Sequence, residues 1–333
     1  MPKFFLVLFF AILCQGLQAQ DPTYSQFHSA PLELNPALAG VVAAPFITLN
    51  YRNQWPNIPN AYSTYSASYS QYVPNWNSGF GALFNADVAG GGIYNSYRVG
   101  LFYAYDIRFS EKFFIRGGLE ANFINKRIGW NKLVFLDQID LEYGNVDVNG
   151  IATQTREGQP GYNVNYMDFG FGVLLSTPYV YGGFSLKHIN APSEGFMRIG
   201  QEKGELPIRY LLHIGSEIKL NPRNKIRKTA FISPNVLFSK QRDFYQLNVG
   251  AQINYDLFFG GIWFRHTFTN ADAVIFMVGF QKSVFKLAYS YDWTVSKLGA
   301  KAGGAHEVSL ILNFENPNQK YQQRYNDCLE IFR

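Results

Sequence analysis

Tyr97-Arg98-Val99-Gly100-Leu101-Phe102-Tyr103-Ala104-Tyr105-Asp106-Ile107-Arg108-Phe109 is the stretch that decides the fold. Successive side chains of an extended chain point to opposite faces. Tyr97, Val99, Leu101, Tyr103, Tyr105, Ile107 and Phe109 therefore share one face, while Arg98, Gly100, Ala104, Asp106 and Arg108 share the other. The run is far longer than the usual strand of about 5–6 residues. It is long enough to cross a bilayer at a tilt, which takes about 9–11 residues. Two later runs repeat the pattern. Phe285, Leu287, Tyr289, Tyr291, Trp293 and Val295 oppose Lys286, Ala288, Ser290, Asp292 and Thr294, and Val308, Leu310, Leu312 and Phe314 oppose Glu307, Ser309 and Asn313.

Working outward, fourteen segments read as strands by alternation or β-rich composition: 46–53, 61–72, 78–86, 95–109, 112–127, 166–176, 179–190, 208–220, 228–240, 243–255, 258–268, 272–281, 284–295 and 305–315. A sandwich also alternates, so the connections decide. Very short links join the fourth to the fifth, the sixth to the seventh, the tenth to the eleventh and the twelfth to the thirteenth strand. Longer links mostly fall in between, the longest being 128–165; the short link at Gln241-Arg242 is the exception. Short turns at one end and long loops at the other are the plan of an outer-membrane barrel. The expectation is an all-β protein: a transmembrane antiparallel up-and-down β-barrel of 14 strands over residues 46–315.

Composition agrees. Of 333 residues, 47% are hydrophobic and 17% aromatic, but only 16% are charged, against about 25% in an ordinary soluble domain. Past the N-terminus no window is apolar enough for a membrane helix, and the aromatic load excludes a disordered chain. The basic residues are scattered, with no dense run beyond 223–228, so no nucleic-acid partner is expected. Lys3 followed by the apolar stretch 4–13, then Leu17-Gln18-Ala19, reads as a signal peptide over 1–19 cleaved after Ala19. The rival is a lipoprotein with Cys14 as the lipidated residue; Leu13 argues against it, because that processing wants a small residue there. Cleavage leaves Cys328 alone, which makes no internal disulfide and no CxxC metal site.

Register sharpens the barrel. A one-residue slip would flip every side chain. A three-residue turn at Ser110-Glu111-Lys112 sets Tyr103 opposite Leu119 and Asp106 opposite Arg116. A two-residue turn at Thr177-Pro178 sets Phe169 opposite Leu186 and Asp168 opposite Lys187. Both pairs put opposite charges on the polar face. With Arg98, Arg108, Glu120, Arg209, Glu217, Arg265, Lys286, Asp292 and Glu307 they form either a conduction path or a cross-braced lumen. The paired arrangement favours the second, because selective channels present rings of one sign.

Between the signal and the first strand lie Gln20-Asp21-Pro22-Thr23-Tyr24-Ser25-Gln26-Phe27, Pro31, and Leu34-Asn35-Pro36-Ala37-Leu38-Ala39-Gly40. Its proline and glycine argue against a strand; on the residues alone it is a mobile tail or a segment laid inside the barrel. This segment resembles the opening "QDPxxSQ…NPLxLNPAxAG" of the PorP/SprF family of type IX secretion and gliding-motility proteins, departing from it at Ala30. Tyr51-Arg52-Asn53-Gln54-Trp55 is similar to the family's "YRxQW", Tyr289-Ser290-Tyr291-Asp292 to its "YSYD", and Gly304-Ala305-His306-Glu307-Val308-Ser309-Leu310 to its "GSHEIxL", with Ala305 replacing Ser. The resemblance runs from about residue 20 to 315. It implies an outer-membrane barrel in bacterial outer-membrane lipid, working with the type IX secretion machinery and a secreted surface protein that carries a C-terminal secretion domain. Gln20, Asp21, Pro22, Ser25, Gln26, Asn35, Pro36 and Gly40 are the motif residues to look for inside the lumen. There Leu32, Leu34, Leu38, Val41 and Val42 would need cover.

No motif asks for an enzyme. His28, His188, His213, His266 and His306 make no HExxH or paired-His spacing, Asp87-Val88-Ala89-Gly90-Gly91-Gly92 lacks the Lys-Ser/Thr of a phosphate loop, and GxSxG is absent. No cofactor is expected. Loop 128–165 carries Trp130, Phe135 and Tyr143, which either fold over the barrel mouth or dock the exported partner. The polar tail 316–333 is expected at the periplasmic side, unstructured or touching a secretion component or a peptidoglycan-linked protein. The alternative function is an outer-membrane transport channel for small or hydrophobic solutes.

Overall fold

The computed structural model describes residues 21, 23–110, 113–139, 155, 163–196, 204–220, 230–268, 270–296, 300–315 and 328–333. Fourteen antiparallel strands close into one barrel. They are β1 (Phe46–Gln54), β2 (Tyr62–Val73), β3 (Ser78–Ala89), β4 (Tyr94–Ser110), β5 (Phe113–Ile128), β6 (Asn163–Ser176), β7 (Val180–Lys187), β8 (Arg209–Ser216, continued by Ile218–Lys219), β9 (Phe231–Gln241), β10 (Phe244–Tyr255), β11 (Phe258–Thr267), β12 (Asn270–Lys282), β13 (Phe285–Thr294) and β14 (Ala305–Asn313). Each pairs with its sequence neighbour, and β1 closes on β14, with Phe46 opposite Asn313 and Arg52 opposite Glu307. Closure removes the unpaired edges that an open sheet would expose to lipid.

The period-2 pattern fixes which face is which. Along β4, Tyr97, Val99, Leu101, Tyr103 and Tyr105 are exposed on the outer wall, while Phe102 and Ala104 are buried inside. The outer wall carries the same kind of residue all round, among them Leu49, Tyr65, Phe84, Phe123, Phe169, Ile214, Phe264, Phe276 and Leu287. Lipid is the solvent that accepts them.

The two hairpins have different outcomes. Between β4 and β5, Tyr103 stands opposite Leu119 and Asp106 opposite Arg116, with a bulge at Arg108/Ser110. Between β6 and β7 the register is Phe171↔Leu186 and Ser176↔Tyr181, not Phe169 with Leu186. Thr177 belongs to the ladder rather than to the turn. Its N–H donates to the Val180 carbonyl (3.0 Å), and its hydroxyl accepts from the Val180 N–H (3.0 Å). Pro178-Tyr179 is then the two-residue turn, with proline supplying the preset φ of a turn's first corner. The shift is two residues, so the faces are unchanged but the partners move: Lys187 falls two residues short of Asp168.

Candidate functional site

The interior is the candidate site, and residues 23–45 run through it. Asp21 sits where β7, β8 and β9 meet the long-loop end; Phe46 starts β1 at the short-turn end. Ser25, Gln26, Asn35 and Ala37 to Ala39 are at most 3% exposed. Three short helical turns, Phe27–Ser29, Pro31–Leu34 and Pro36–Leu38, shape the segment. Leu32, Leu34, Leu38, Val41 and Val42 are all buried. Gln20 and Pro22 lie outside the described residues, as does Tyr143.

At the long-loop half, Ser25-Gln26 meets four strands, β1, β11, β13 and β14. The Glu307 carboxylate accepts from the backbone N–H of Ser25 (2.8 Å) and of Gln26 (3.0 Å), while the Gln26 side-chain amide donates to Ser290 Oγ and to the Glu307 carbonyl, both at 3.0 Å. Ser25 Oγ donates to Asp292 (2.6 Å). Arg52 binds Asp292 with one nitrogen (2.9 Å) and Glu307 with the other (3.0 Å), and Arg265 reaches Asp292 (2.9 Å) and Asp272 (2.5 Å). The four motifs that were separate in sequence thus converge: SQ, the arginine of YRNQW, the serine and aspartate of YSYD, and the glutamate before Val308. Arg52 was not among the lumen charges read from sequence, although Thr48, Asn50 and Arg52 alternate against Ile47, Leu49 and Tyr51 and so already put it on the polar face.

Asp21 meets His188 Nε2 (2.6 Å), whose Nδ1 faces Asp168 (2.9 Å); Arg209 lies 3.7 Å from Asp21. Burial works against charge on His188, which stands just outside β7. Asp21 and Asp168 outweigh it and lift its pKa to about 9. Asp21 is half-buried, which works against its charge, yet His188 and Arg209 hold its carboxyl well below the usual range. Lys187 pairs with Glu120 (3.0 Å) rather than with Asp168, the correction that the shifted hairpin requires. Gly170, opposite Glu120 on β6, leaves the space for that carboxylate: a Cβ there would lie 2.4 Å from Glu120 Oε1. Glu33 pairs with Arg98 and accepts from Asn85 (3.1 Å).

At mid-depth, Asn35 Oδ1 accepts from Ala37 N (2.9 Å) and caps the turn that Pro36 starts. Its Nδ2 donates to the carbonyls of Val173 (3.1 Å) and Phe184 (3.3 Å). Small wall residues admit this close approach. A Cβ on Gly118 would lie 2.2 Å from Ala37 N, and one on Gly172 would lie 2.0 Å from Asn35 Oδ1. Lower down, Gly40 adopts φ +67°, a region that favours glycine, and a Cβ there would fall 2.6 Å from Gly79 Cα. Arg116 binds Asp106 (2.6 Å) and donates to the Ala39 carbonyl (2.7 Å), so it joins wall and segment. His28 stacks on Trp263 (5.5 Å).

A cavity of about 250 Å³ remains at the long-loop end, lined by Tyr24, Tyr62, Asp87, Tyr94, Lys126 and Tyr166 among others. Of the loop residues, Trp130 and Phe135 pack together with ring centroids 4.8 Å apart.

A closed 14-strand barrel with an apolar outer wall and a polar, cross-braced interior defines a transmembrane β-barrel of the outer-membrane type. The chain belongs to the type IX secretion system membrane protein PorP/SprF family, whose model matches residues 16–312. Among solved structures it is similar to the KdgM porin in complex with disordered oligogalacturonate (8% identity, 81% of this chain and 99% of that one, TM-score 0.37). A Pseudomonas aeruginosa FadL homologue is also similar (12% identity, 84% and 93%, TM-score 0.42). A Rh. blastica porin mutant gives 7% identity, 81% and 98%, and a TM-score of 0.35. No curated protein matches the chain.

Proposed function

We propose that this barrel is a sealed accessory of type IX secretion that helps export or anchor a large surface protein, rather than a solute channel. The observation that carries this reading is the interior. The segment 23–45 runs through it, and the residues of all four motifs that resemble the family are spent on seating that segment, through Ser25, Gln26, Arg52, Ser290, Asp292 and Glu307. Motif residues that hold a segment in place do not line a route for solute. Family membership supports work alongside the secretion machinery.

The segment 20–45 then acts as a constitutive plug, seated after the signal peptide is cut at Ala19. The long-loop end faces outside, and loop 128–165, with Trp130 and Phe135, is where a secreted protein bearing a C-terminal secretion domain docks. The short-turn end faces the periplasm, where a peptidoglycan-linked component is the expected neighbour. The barrel performs no catalysis.

Deleting the chain tests this. The expected result is loss of one large protein from the cell surface with nutrient uptake unchanged, together with recovery of type IX components on the tagged barrel. Steady ion conductance of the purified protein in planar bilayers, or an uptake defect with normal surface proteins, sinks the reading in favour of a channel.

A further inference from the structure

A second body occupies the lumen at the short-turn end: the chain's own residues 328–333. Cys328, Leu329, Ile331 and Phe332 are at most 1% exposed. Phe332 meets Tyr181 edge-on at 5.3 Å and His213 at 6.2 Å. Cys328 Sγ lies 4.0 Å from Ser176 Oγ. Lys286 Nζ donates to the Ile331 carbonyl (3.4 Å) and to the main-chain oxygen of Arg333 (3.2 Å), and Arg333 Nε donates to the Val41 carbonyl (3.1 Å).

The wall around this body differs from the rest of the interior. Leu174, Tyr181, Phe259, Met277 and Ile311 face inward and join Leu329, Ile331 and Phe332 in one apolar cluster. A barrel lumen is ordinarily polar, and an apolar patch of this kind calls for a cover. The cover here is a short peptide gripped by its main-chain carbonyls and its apolar side chains, which is how peptide grooves hold their ligands. Residues 316–327, which precede it, contain two tyrosines and one proline but no Ala, Val, Leu, Ile or Met. The hexapeptide is thus an apolar stretch preceded by a polar one.

We infer that the short-turn end of the barrel is a peptide-binding socket, occupied in cis by residues 328–333, which takes in trans a partner protein's segment with apolar side chains spaced as Leu329, Ile331 and Phe332 and followed by a basic residue. Lys286 reads the main chain, and Tyr181 with His213 grips the aromatic ring. With the short-turn end periplasmic, the partner is a periplasmic protein, and its binding expels the tail. The inference goes beyond the accessory role proposed above and stands or falls without it.

With the signal peptide cut at Ala19 as proposed, Cys328 is the cysteine that remains, so the mature protein carries its own reporter. The purified barrel in detergent is treated with a maleimide while the peptide Ser-Leu-Glu-Ile-Phe-Arg is titrated in. Labelling is expected to be slow without peptide and to accelerate at least tenfold with it. Half-maximal acceleration falls on the order of 1 mM, the effective concentration of a tethered ligand. A chain carrying Phe332→Ala responds at roughly tenfold lower peptide, and a peptide with Asp in place of Ile and Phe does nothing. Heat-modified gel mobility confirms an intact barrel throughout. Two results overturn the inference: Cys328 reacting at the denatured rate with no peptide present, or labelling that stays slow at every peptide concentration in both the native and Phe332→Ala chains.

Discussion

Replacing Arg52 with Met tests whether the motif cluster holds the N-terminal segment or merely decorates the wall. Arg52, Asp292 and Glu307 are 3%, 1% and 0% exposed, and Arg52 bridges both carboxylates and Ser25 Oγ. Removing one partner of a buried ion pair costs about 3–5 kcal/mol, because the other charge is left uncompensated. Arg265 still reaches Asp292 at 2.9 Å, and Glu307 keeps the N–H groups of Ser25 and Gln26. The lower end, about 3 kcal/mol, is therefore expected. Because every 1.4 kcal/mol is tenfold, the local opening of the segment rises by roughly a hundredfold or more. The strand ladders of β1 and β14 lose no backbone hydrogen bond, so the change is confined to the segment. Hydrogen–deuterium exchange read by mass spectrometry resolves this: peptides covering 23–30 exchange about a hundredfold faster, while peptides from β3 to β6 do not change. Arg52→Lys, which keeps the charge but loses the fork, falls in between. Unchanged exchange at 23–30, or a uniform rise across every strand, refutes the assignment of this cluster as the segment's anchor.

Other expectations follow from the same geometry. His188 is raised to about 9 between Asp21 and Asp168, so its stabilisation is complete below the ordinary histidine value of about 6.5 and fades as pH climbs through 9. Amide protection at residues 23–24, corrected for intrinsic rates, should fall across that window, and His188→Ala should flatten the profile. Gly118→Val forces side-chain atoms onto Ala37 N. The segment should become cleavable by added protease roughly fivefold to a hundredfold faster, since overpacking costs about 1–3 kcal/mol, with the barrel's heat-modified mobility intact. Arg116→Ala strips Asp106 and the Ala39 carbonyl of their partner; at about 1–3 kcal/mol for a buried group left unpaired, exchange at 39–42 should rise about tenfold, and exchange at 23–30 should not.

The sequence by itself determined the barrel. Side-chain period in a strand is two, so runs such as 97–109 state which face is apolar and how far the strand extends, without any knowledge of neighbours. The register expected at Asp106 and Arg116 holds although Ser110 pairs with Phe113 and so belongs to the ladder, because the bulge at Arg108/Ser110 makes up the residue that a three-residue turn would supply. At Thr177 no bulge makes up the difference. The Thr177 hydroxyl closes the hairpin instead of cornering it, and that moved Lys187 from Asp168 to Glu120. Tertiary structure alone decided the interior. Ser25 and Glu307 are 282 residues apart, and only the closure of β1 on β14 brings Arg52 opposite Glu307. His188 gave no sequence signal, because a histidine after a strand is ordinary until Asp21 and Asp168 converge on it. The tail's place beneath the N-terminal segment was likewise invisible, since its apolar residues are few and their receptor is assembled from strands spread from β6 to β14. Alternation is a local property of the chain; the contacts that seal the lumen are made by loop closure across its whole length.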